Sequence, residues 1–183
     1  MTPQDLTGPV DRQRIHEEME RSREVFHALV AHAARDDLRR RSSGTRWSNQ
    51  QLLFHMYFGY LVVRRLRPIV RVVGAMPPDS GRAFARVLDA ARRPFHLINY
   101  LGSCGGGAVV RGARLTRWFD RTVEVLHRGL DTETEGALRR TMAFPTTWDP
   151  CFRRSMTLAE VYRYGTAHFE HHRHQLTLGT TSP

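Results

Sequence analysis

The apolar positions along the chain predict helices over almost its whole length. From Asp11 to about Arg41, apolar residues recur at spacings of three and four and form one stripe on a long helix. This stripe comprises Ile15, Met19, Val25, Phe26, Leu29, Val30, Ala33 and Leu38. The segment 42–45, with the sequence Ser-Ser-Gly-Thr, interrupts the pattern. No segment shows the two-residue alternation that predicts a β-strand.

Two helices have a clear N-terminal signal. The segments 48–51 (Ser-x-x-Gln) and 157–160 (Thr-x-x-Glu) have the spacing of a capping box, which satisfies backbone N–H groups at a helix start. The first of these helices should continue to about Val73, because Gly74 and a Pro-Pro pair follow it. The second should continue to about Leu178.

Two further helices are predicted between these two, over residues 80–100 with a bend near Pro94, and over residues 111–130. The glycine-rich segment 102–107 (Gly-Ser-Cys-Gly-Gly-Gly) is predicted to be a loop. It follows no strand and lacks the Lys-Ser/Thr ending of a phosphate-binding loop, so we expect no phosphate site there. Residues 144–156, which are rich in Pro and Thr, predict a second loop.

Four main helices joined by short-to-medium loops are typical of an all-α four-helix bundle, here with additional short helical segments. The length fits one domain over residues 1–183, in which residues 1–9 and 179–183 are expected to be flexible tails. A hydrophobic fraction of 40% is enough for a buried core and excludes a disordered chain. With only Cys104 and Cys151 present, a disulfide framework is also excluded.

Charge and hydropathy narrow the function classes further. The formal net charge is +10, and all 28 basic residues are arginine, as expected from the codon bias of a GC-rich genome. The arginines occur as scattered pairs and triplets without a nucleic-acid-binding motif, so we expect no nucleic-acid partner. The uncharged stretch from Leu52 to Val63 is too short to cross a bilayer, and residues 1–14 show no secretory signal. We therefore expect a cytoplasmic protein without a membrane partner.

Four of the ten histidines lie on the last predicted helix. Residues four apart on a helix project from the same face, so His168 and His172 should point the same way. Both fall on the apolar stripe of this helix, whereas His171 and His174 lie on the opposite, solvent-facing side. The remaining histidines apart from His55, namely His16, His27, His32, His96 and His127, are assigned to core edges or to the surface.

His55 is the best candidate for a third inward-facing imidazole. It lies on the apolar stripe of the second helix, and Gly59 one turn later leaves space beside it. Together, His55, His168 and His172 would give a facial triad of metal ligands with open coordination positions, suited to zinc first and to nickel or iron as alternatives. An inward-facing histidine is also commonly a hydrogen-bonded core residue, and this alternative stays open.

Two segments carry a resemblance to a known family. Residues 46–55 (Arg-Trp-Ser-Asn-Gln-Gln-Leu-Leu-Phe-His) and the motif His168-x3-His172-x2-Gln175-Leu176 resemble the DinB/YfiT-like superfamily of metalloenzymes. Residues 148–150 (Trp-Asp-Pro) and 156–158 (Met-Thr-Leu) are similar to actinobacterial DinB-family proteins. The resemblance implies a four-helix bundle whose metal ligands are one histidine of the second helix and two of the last. These match His55, His168 and His172.

The resemblance also implies an activity. Members of the family include thiol-dependent S-transferases that use bacillithiol or mycothiol, thiol-dependent maleylpyruvate isomerases, and hydrolases that protect against reactive natural products. The leading hypothesis is a divalent-metal-dependent S-transferase that joins a low-molecular-weight thiol, of the mycothiol type, to an electrophilic small molecule. Two alternatives are a metal-dependent hydrolase or self-resistance protein acting on a reactive metabolite, and a non-catalytic metal-binding stress protein. A homodimer stays possible, although no exposed heptad seam indicates one.

Four further residues are weaker candidates for the site. Asn99 and Tyr100, at the end of the third predicted helix, could face the pocket, or could simply end that helix. Trp148 and Asp149 could support the site, with Asp149 accepting a hydrogen bond from a ligand imidazole. Asp149 could equally be a turn residue before a proline. Cys104 has no visible base partner and is interpreted as a small loop residue rather than a nucleophile.

Overall fold

The computed structural model describes residues 8–77 and 92–179, together with positions 83, 86, 87, 89 and 90. The regular secondary structure of these residues is helical apart from one short two-stranded sheet, which confirms the predicted all-α fold. The elements in chain order are α1 Arg12–His32, α2 Arg35–Arg39, α3 Asn49–Val73, α4 Arg92–Val109, α5 Gly112–Thr132, α6 Glu135–Leu138, β1 Thr141–Ala143, β2 Ser155–Thr157 and α7 Leu158–Arg173.

The helix α3 is the centre of the bundle. It packs against α7, α4 and α5, while α1 packs against α5 and α7. An aromatic cluster fills the space between them: Phe119 of α5 lies 4.5 Å from Phe26 and 4.8 Å from Tyr60, measured between ring centroids. These three side chains are fully buried. Such contacts stabilise the bundle through apolar burial and aromatic packing.

The two predicted capping boxes are both present. Ser48 begins α3 and Thr157 begins α7, and in each case the hydroxyl and the N3 side chain form the reciprocal pair of hydrogen bonds. The predicted end of α7 near Leu178 is wrong, because the helix ends at Arg173. Beyond that point the chain turns away, and Thr177 donates its backbone N–H to the side chain of Asn49.

The first predicted helix is divided in the structure. Instead of continuing to about Arg41, α1 ends at His32, and the extended residues Ala33 and Ala34 separate it from α2. Two acidic residues, Asp36 and Asp37, lie in the first turn of α2, where negative charge favours a helix N-terminus. The apolar stripe could not reveal this break, because Leu38 still packs against the core.

The prediction of a loop at the glycine-rich segment 102–107 is wrong, since these residues belong to α4. The glycines allow α4 to approach α3 closely. A Cβ atom on Gly106 would lie 2.2 Å from the ring of Phe54, and one on Gly107 would lie 2.9 Å from the Cα of Gln51. Tertiary packing here outweighs the low helix propensity of glycine. Most of the predicted helical stretch before residue 92 lies outside the described residues.

The expectation that the chain has no strand is also wrong. β1 and β2 pair antiparallel with Met142 opposite Met156, and three residues each are too few for alternation to be visible in the sequence. The paired strands bring together the two ends of the loop that carries residues 148 and 149, and β2 contacts α7. Cys104 and Cys151 are both free. Among the described residues, no helix is long and apolar enough to span a membrane.

Candidate metal centre

Three histidines from two helices converge inside the bundle. His55 lies on α3, and His168 and His172 lie one turn apart on α7, the helix against which α3 packs. Their exposed fractions are 3%, 2% and 7%. Each ring offers one nitrogen to a group in which all the donor atoms lie within 4.8 Å of one another. The residues that helical spacing selected are thus brought together, and they could hold a metal ion.

Hydrogen bonds fix the orientation of two of these rings. Nδ1 of His55 lies 3.1 Å from the hydroxyl of the buried Ser103, and Nδ1 of His172 donates to the side-chain oxygen of Gln175 at 2.7 Å. The Nε2 atoms of the two rings are then left facing each other at 3.1 Å. Metal-binding histidines are held in this way, with one nitrogen anchored and the other directed at the ion.

His168 is held by packing rather than by a hydrogen bond. A Cβ atom added to Gly59 would lie 2.3 Å from its Nδ1, so the ring fits against α3 only because position 59 is glycine. This Nδ1 is buried without a hydrogen-bond partner among the described residues. Nε2 lies 3.5 Å from a carboxylate oxygen of Asp149, whose other oxygen accepts the backbone N–H of Cys151 at 2.8 Å.

Burial keeps the three imidazoles neutral. It is the main cause that lowers the pKa of each histidine, and the neighbouring imidazoles lower the pKa of His55 and His168 further. For His172, the hydrogen bond to Gln175 opposes this effect only in part. A neutral imidazole is the form that binds a metal ion. Two nitrogens bound to one zinc ion lie roughly 3.3 Å apart, which is close to the separation of the two Nε2 atoms. The donor set therefore fits a divalent ion.

Aromatic side chains surround one side of the triad. Trp47 lies with its ring centroid 4.3 Å from that of His55, and Tyr100 lies 6.2 Å beyond Trp47. The guanidinium of Arg46 lies 5.0 Å above the Tyr100 ring. Tyr100 is therefore separated from the histidines by Trp47. Asn99 is half-buried and makes no observed contact with the triad. Its side-chain oxygen is buried and has no hydrogen-bond partner within the described part of the chain.

An apolar pocket of about 430 Å³ lies between α3 and the loop that joins the two strands, and none of the three histidines lines it. Its walls include Phe58, Leu61, Val62 and Leu66 of α3, with Trp148 and Phe152 of the loop. The ring of Phe58 lies 6.2 Å from that of His55. Trp148 precedes Asp149, the residue that contacts His168. Phe58 and Trp148 thus connect the pocket to the triad.

Two residues at the site were not predicted as site residues. Ser103 lies in the segment interpreted as a loop, so its position against His55 was missed; only the amphipathic pattern of α4 could have indicated it. Gln175 was part of the motif that carried the family resemblance, but no role was inferred for it. His171, on the outer side of α7, and His174, directly after the last residue of this helix, are both exposed, as predicted.

Comparison with known proteins identifies the family. A model of the DinB superfamily matches residues 18–176, which include all three histidines and both of their hydrogen-bonding partners. No curated protein and no solved structure matches the chain. The helical fold agrees with the match, and the superfamily is known for metal binding. The chain belongs to the DinB superfamily.

Proposed function

We propose that this chain is a divalent-metal-dependent S-transferase that joins a low-molecular-weight thiol to an electrophilic small molecule. The observation that carries the proposal is the convergence of three buried, neutral imidazoles on one point. Zinc is the first ion to expect, with nickel and iron as alternatives, because three imidazoles suit several divalent ions. Mycothiol is the first thiol to test, and bacillithiol and glutathione are the alternatives.

A divalent ion held by the triad would supply positive charge that favours the anionic, nucleophilic form of a thiol near neutral pH. The residues of this chain prepare that position. Ser103 and Gln175 anchor the outer nitrogens of His55 and His172, so the rings do not have to reorient when an ion binds. Asp149 borders His168 and contributes negative charge beside it.

The apolar pocket supports a small-molecule electrophile as the second substrate. Its walls are mostly hydrocarbon and aromatic ring, with Arg65 as the charged residue among them. A pocket of this size holds an apolar group of a small molecule and excludes water from it. Phe58 lines the pocket and its ring lies 6.2 Å from that of His55, so a molecule in the pocket would lie one side chain away from the triad.

Metal analysis followed by a thiol-dependent assay tests the proposal. The purified full chain should contain one tightly held divalent ion, and it should consume monochlorobimane only when mycothiol or another thiol is added. In that reaction the thiol sulfur forms a bond to carbon, chloride leaves, and the thiol proton passes to solvent. His172→Ala should abolish the metal-dependent rate. His174→Ala is the matched control, because it removes an exposed imidazole two residues away.

The alternatives give different results in the same assay. Consumption of a reactive ester or lactone without any thiol, abolished by His172→Ala, would replace the transferase with the hydrolase. If replacement of all three histidines by alanine removes the ion and lowers the melting temperature but leaves every rate unchanged, the metal-binding stress protein is the correct interpretation.

A further inference from the structure

A second pair of imidazoles lies on the opposite side of the bundle, where α1 packs against α5. His16 of α1 and His127 of α5 face each other with their Nδ1 atoms 2.5 Å apart. The ring centroids are 4.7 Å apart and the ring planes differ by 22°. The centroid separation exceeds the nitrogen separation by about the diameter of an imidazole ring. The rings therefore lie end to end, with the two Nδ1 atoms directed at each other.

A carboxylate holds the outer nitrogen of each ring. Nε2 of His16 lies 2.9 Å from Asp131, and Nε2 of His127 lies 2.6 Å from Glu20. Glu20 lies four residues after His16 on α1, and Asp131 lies four residues after His127 on α5. Each carboxylate therefore contacts the histidine of the opposite helix. The result is a row of four residues, Asp131–His16–His127–Glu20. We call His16 and His127 the α1–α5 histidine pair.

The hydrogen-bonding pattern leaves two lone pairs directed at each other. An ionised carboxylate only accepts hydrogen bonds, so each Nε2 carries a hydrogen that it donates to Asp131 or Glu20. If neither Nδ1 carries a hydrogen, both lone pairs point into the 2.5 Å gap. This arrangement is repulsive unless a cation lies between the two nitrogens. A carboxylate behind each imidazole is the arrangement that orients histidine ligands towards a metal ion.

We propose that the α1–α5 histidine pair is a second metal site, which takes a divalent transition-metal ion such as Zn²⁺ between the two Nδ1 atoms. The side chains of His16 and His127 are 22% and 20% exposed, so an ion can enter from solvent and water can complete its coordination. Binding requires the nitrogens to separate by less than 1 Å, to roughly 3.3 Å, and each ring to turn by roughly 35° so that both lone pairs converge on the ion. The two side chains are about one-fifth exposed and lie at the edge of the α1–α5 contact. The ion would join α1 to α5.

With two protein ligands, this site should be weaker than the triad. Imidazole ligands suit zinc, copper and nickel, and the remaining positions stay open to water. The proposal does not depend on the proposed transferase activity, because no residue is shared with the triad. A variant that lacks the triad, such as His172→Ala, should retain the second site.

Zinc binding to the full chain, first stripped with a chelator and then studied by equilibrium dialysis at neutral pH, tests this proposal. The wild-type chain should show two classes of site. His16→Gln and His127→Gln should each weaken the weaker class at least ten-fold and leave the tighter class unchanged. Glutamine keeps a polar side chain at each position but removes the second ring nitrogen. The variants should remain folded, as checked by circular dichroism without metal.

His27→Gln is the matched control. His27 also lies on α1 and also contacts a carboxylate of α5, Asp120 at 2.7 Å, but no imidazole in residues 8–77 or 92–179 pairs with it. This variant should retain both classes of site. Absence of the weaker class from the wild-type chain, or its persistence in His16→Gln, would overturn the proposal. If the weaker class is absent from the wild-type chain, ring ¹⁵N spectra that show a proton shared between the two Nδ1 atoms would identify this proton as the cation.

Discussion

The buried triad and the α1–α5 histidine pair are built on the same principle in opposite surroundings. In both, imidazole nitrogens face each other, at 3.1 Å between His55 and His172 and at 2.5 Å between His16 and His127. In both, a hydrogen bond holds the outer nitrogen of each of these rings. The partners differ, however: a hydroxyl and an amide at the triad, and two carboxylates at the pair.

Burial separates the roles that the two sites can have. The triad residues are at most 7% exposed, and Phe58 separates His55 from an apolar pocket, so an ion there would act with little screening by water. The pair is about one-fifth exposed, so water reaches an ion there. Its carboxylates would already balance much of the charge of an ion. A metal ion at the triad is therefore suited to act on a substrate, whereas an ion at the pair is suited to join α1 to α5.

The largest expected effect comes from Gly59→Ala, which should weaken zinc binding at the triad and leave zinc binding at the α1–α5 histidine pair unchanged. The added Cβ would lie 2.3 Å from Nδ1 of His168 and would force this ring out of position. We expect the tighter class of zinc site to weaken by at least about 100-fold, or 2.7 kcal/mol, and the weaker class to be unchanged. Equilibrium dialysis measures both.

Gly105→Ala is the control for this substitution, because Gly105 also lies within a helix but a Cβ there meets no atom within 4 Å. It should leave zinc binding unchanged and increase the free energy of unfolding by roughly 0.5–1 kcal/mol. If Gly59→Ala bound zinc as tightly as the wild-type chain, the position of His168 in the triad would be wrong.

Removal of metal should affect stability next most strongly. An ion that binds only the folded chain, at a free concentration 100 times its dissociation constant, increases the free energy of unfolding by about 2.7 kcal/mol. Zinc at 100 times the dissociation constant of the triad should therefore raise the melting temperature, and chelation should reverse the change. His172→Ala should lose this stabilisation, whereas His174→Ala should retain it. A melting temperature that does not depend on zinc would contradict binding at the triad.

The triad itself could be predicted from the sequence because it depends on local geometry. Spacing of four residues places His168 and His172 on one face of α7, and the apolar stripe of α3 directs His55 inward. The capping boxes fix where both helices begin. These features need only the helical repeat and the rule that apolar faces are buried.

The partners of the histidines depend on tertiary packing and could not be predicted. Ser103 faces His55 because Gly106 and Gly107 let α4 lie against α3, whereas their propensity predicts a loop. The pairing of His16 with His127 depends on the register between α1 and α5, which no local pattern fixes. Taken separately, each of these histidines is assigned by its sequence position to a core edge or to the surface.

Ser103→Ala should have a smaller effect and should act on the triad alone. It removes the hydroxyl that holds Nδ1 of His55 but leaves every imidazole in place. Loss of such a partner reduces metal affinity by about 10- to 100-fold, so the tighter class of zinc site should weaken to that extent. Ser43→Ala, at an exposed serine, is the control. Equal zinc affinity in both variants would show that Ser103 does not orient His55.

The smallest expected effect concerns Asp149, the carboxylate beside the triad. It is measured as a change in the alkylation rate of the Cys151 thiol. Burial, followed by the charge of Asp149 and a hydrogen bond to it, raises the pKa of the Cys151 thiol to about 12. The thiolate is the reactive form, so in Cys104→Ser the rate of alkylation by iodoacetamide should rise by about ten-fold per pH unit up to pH 10 without a plateau. Asp149→Asn in the same background should lower the pKa of the Cys151 thiol, and so the midpoint of the pH dependence of alkylation, because the negative charge is removed. Equal pH profiles with and without Asp149→Asn would show that Asp149 does not act on Cys151, and a plateau near pH 9 in Cys104→Ser would contradict the burial of the thiol as well. Slow alkylation at neutral pH would also mean that Cys151 cannot supply the attacking sulfur, so the transferase needs a thiol from solution.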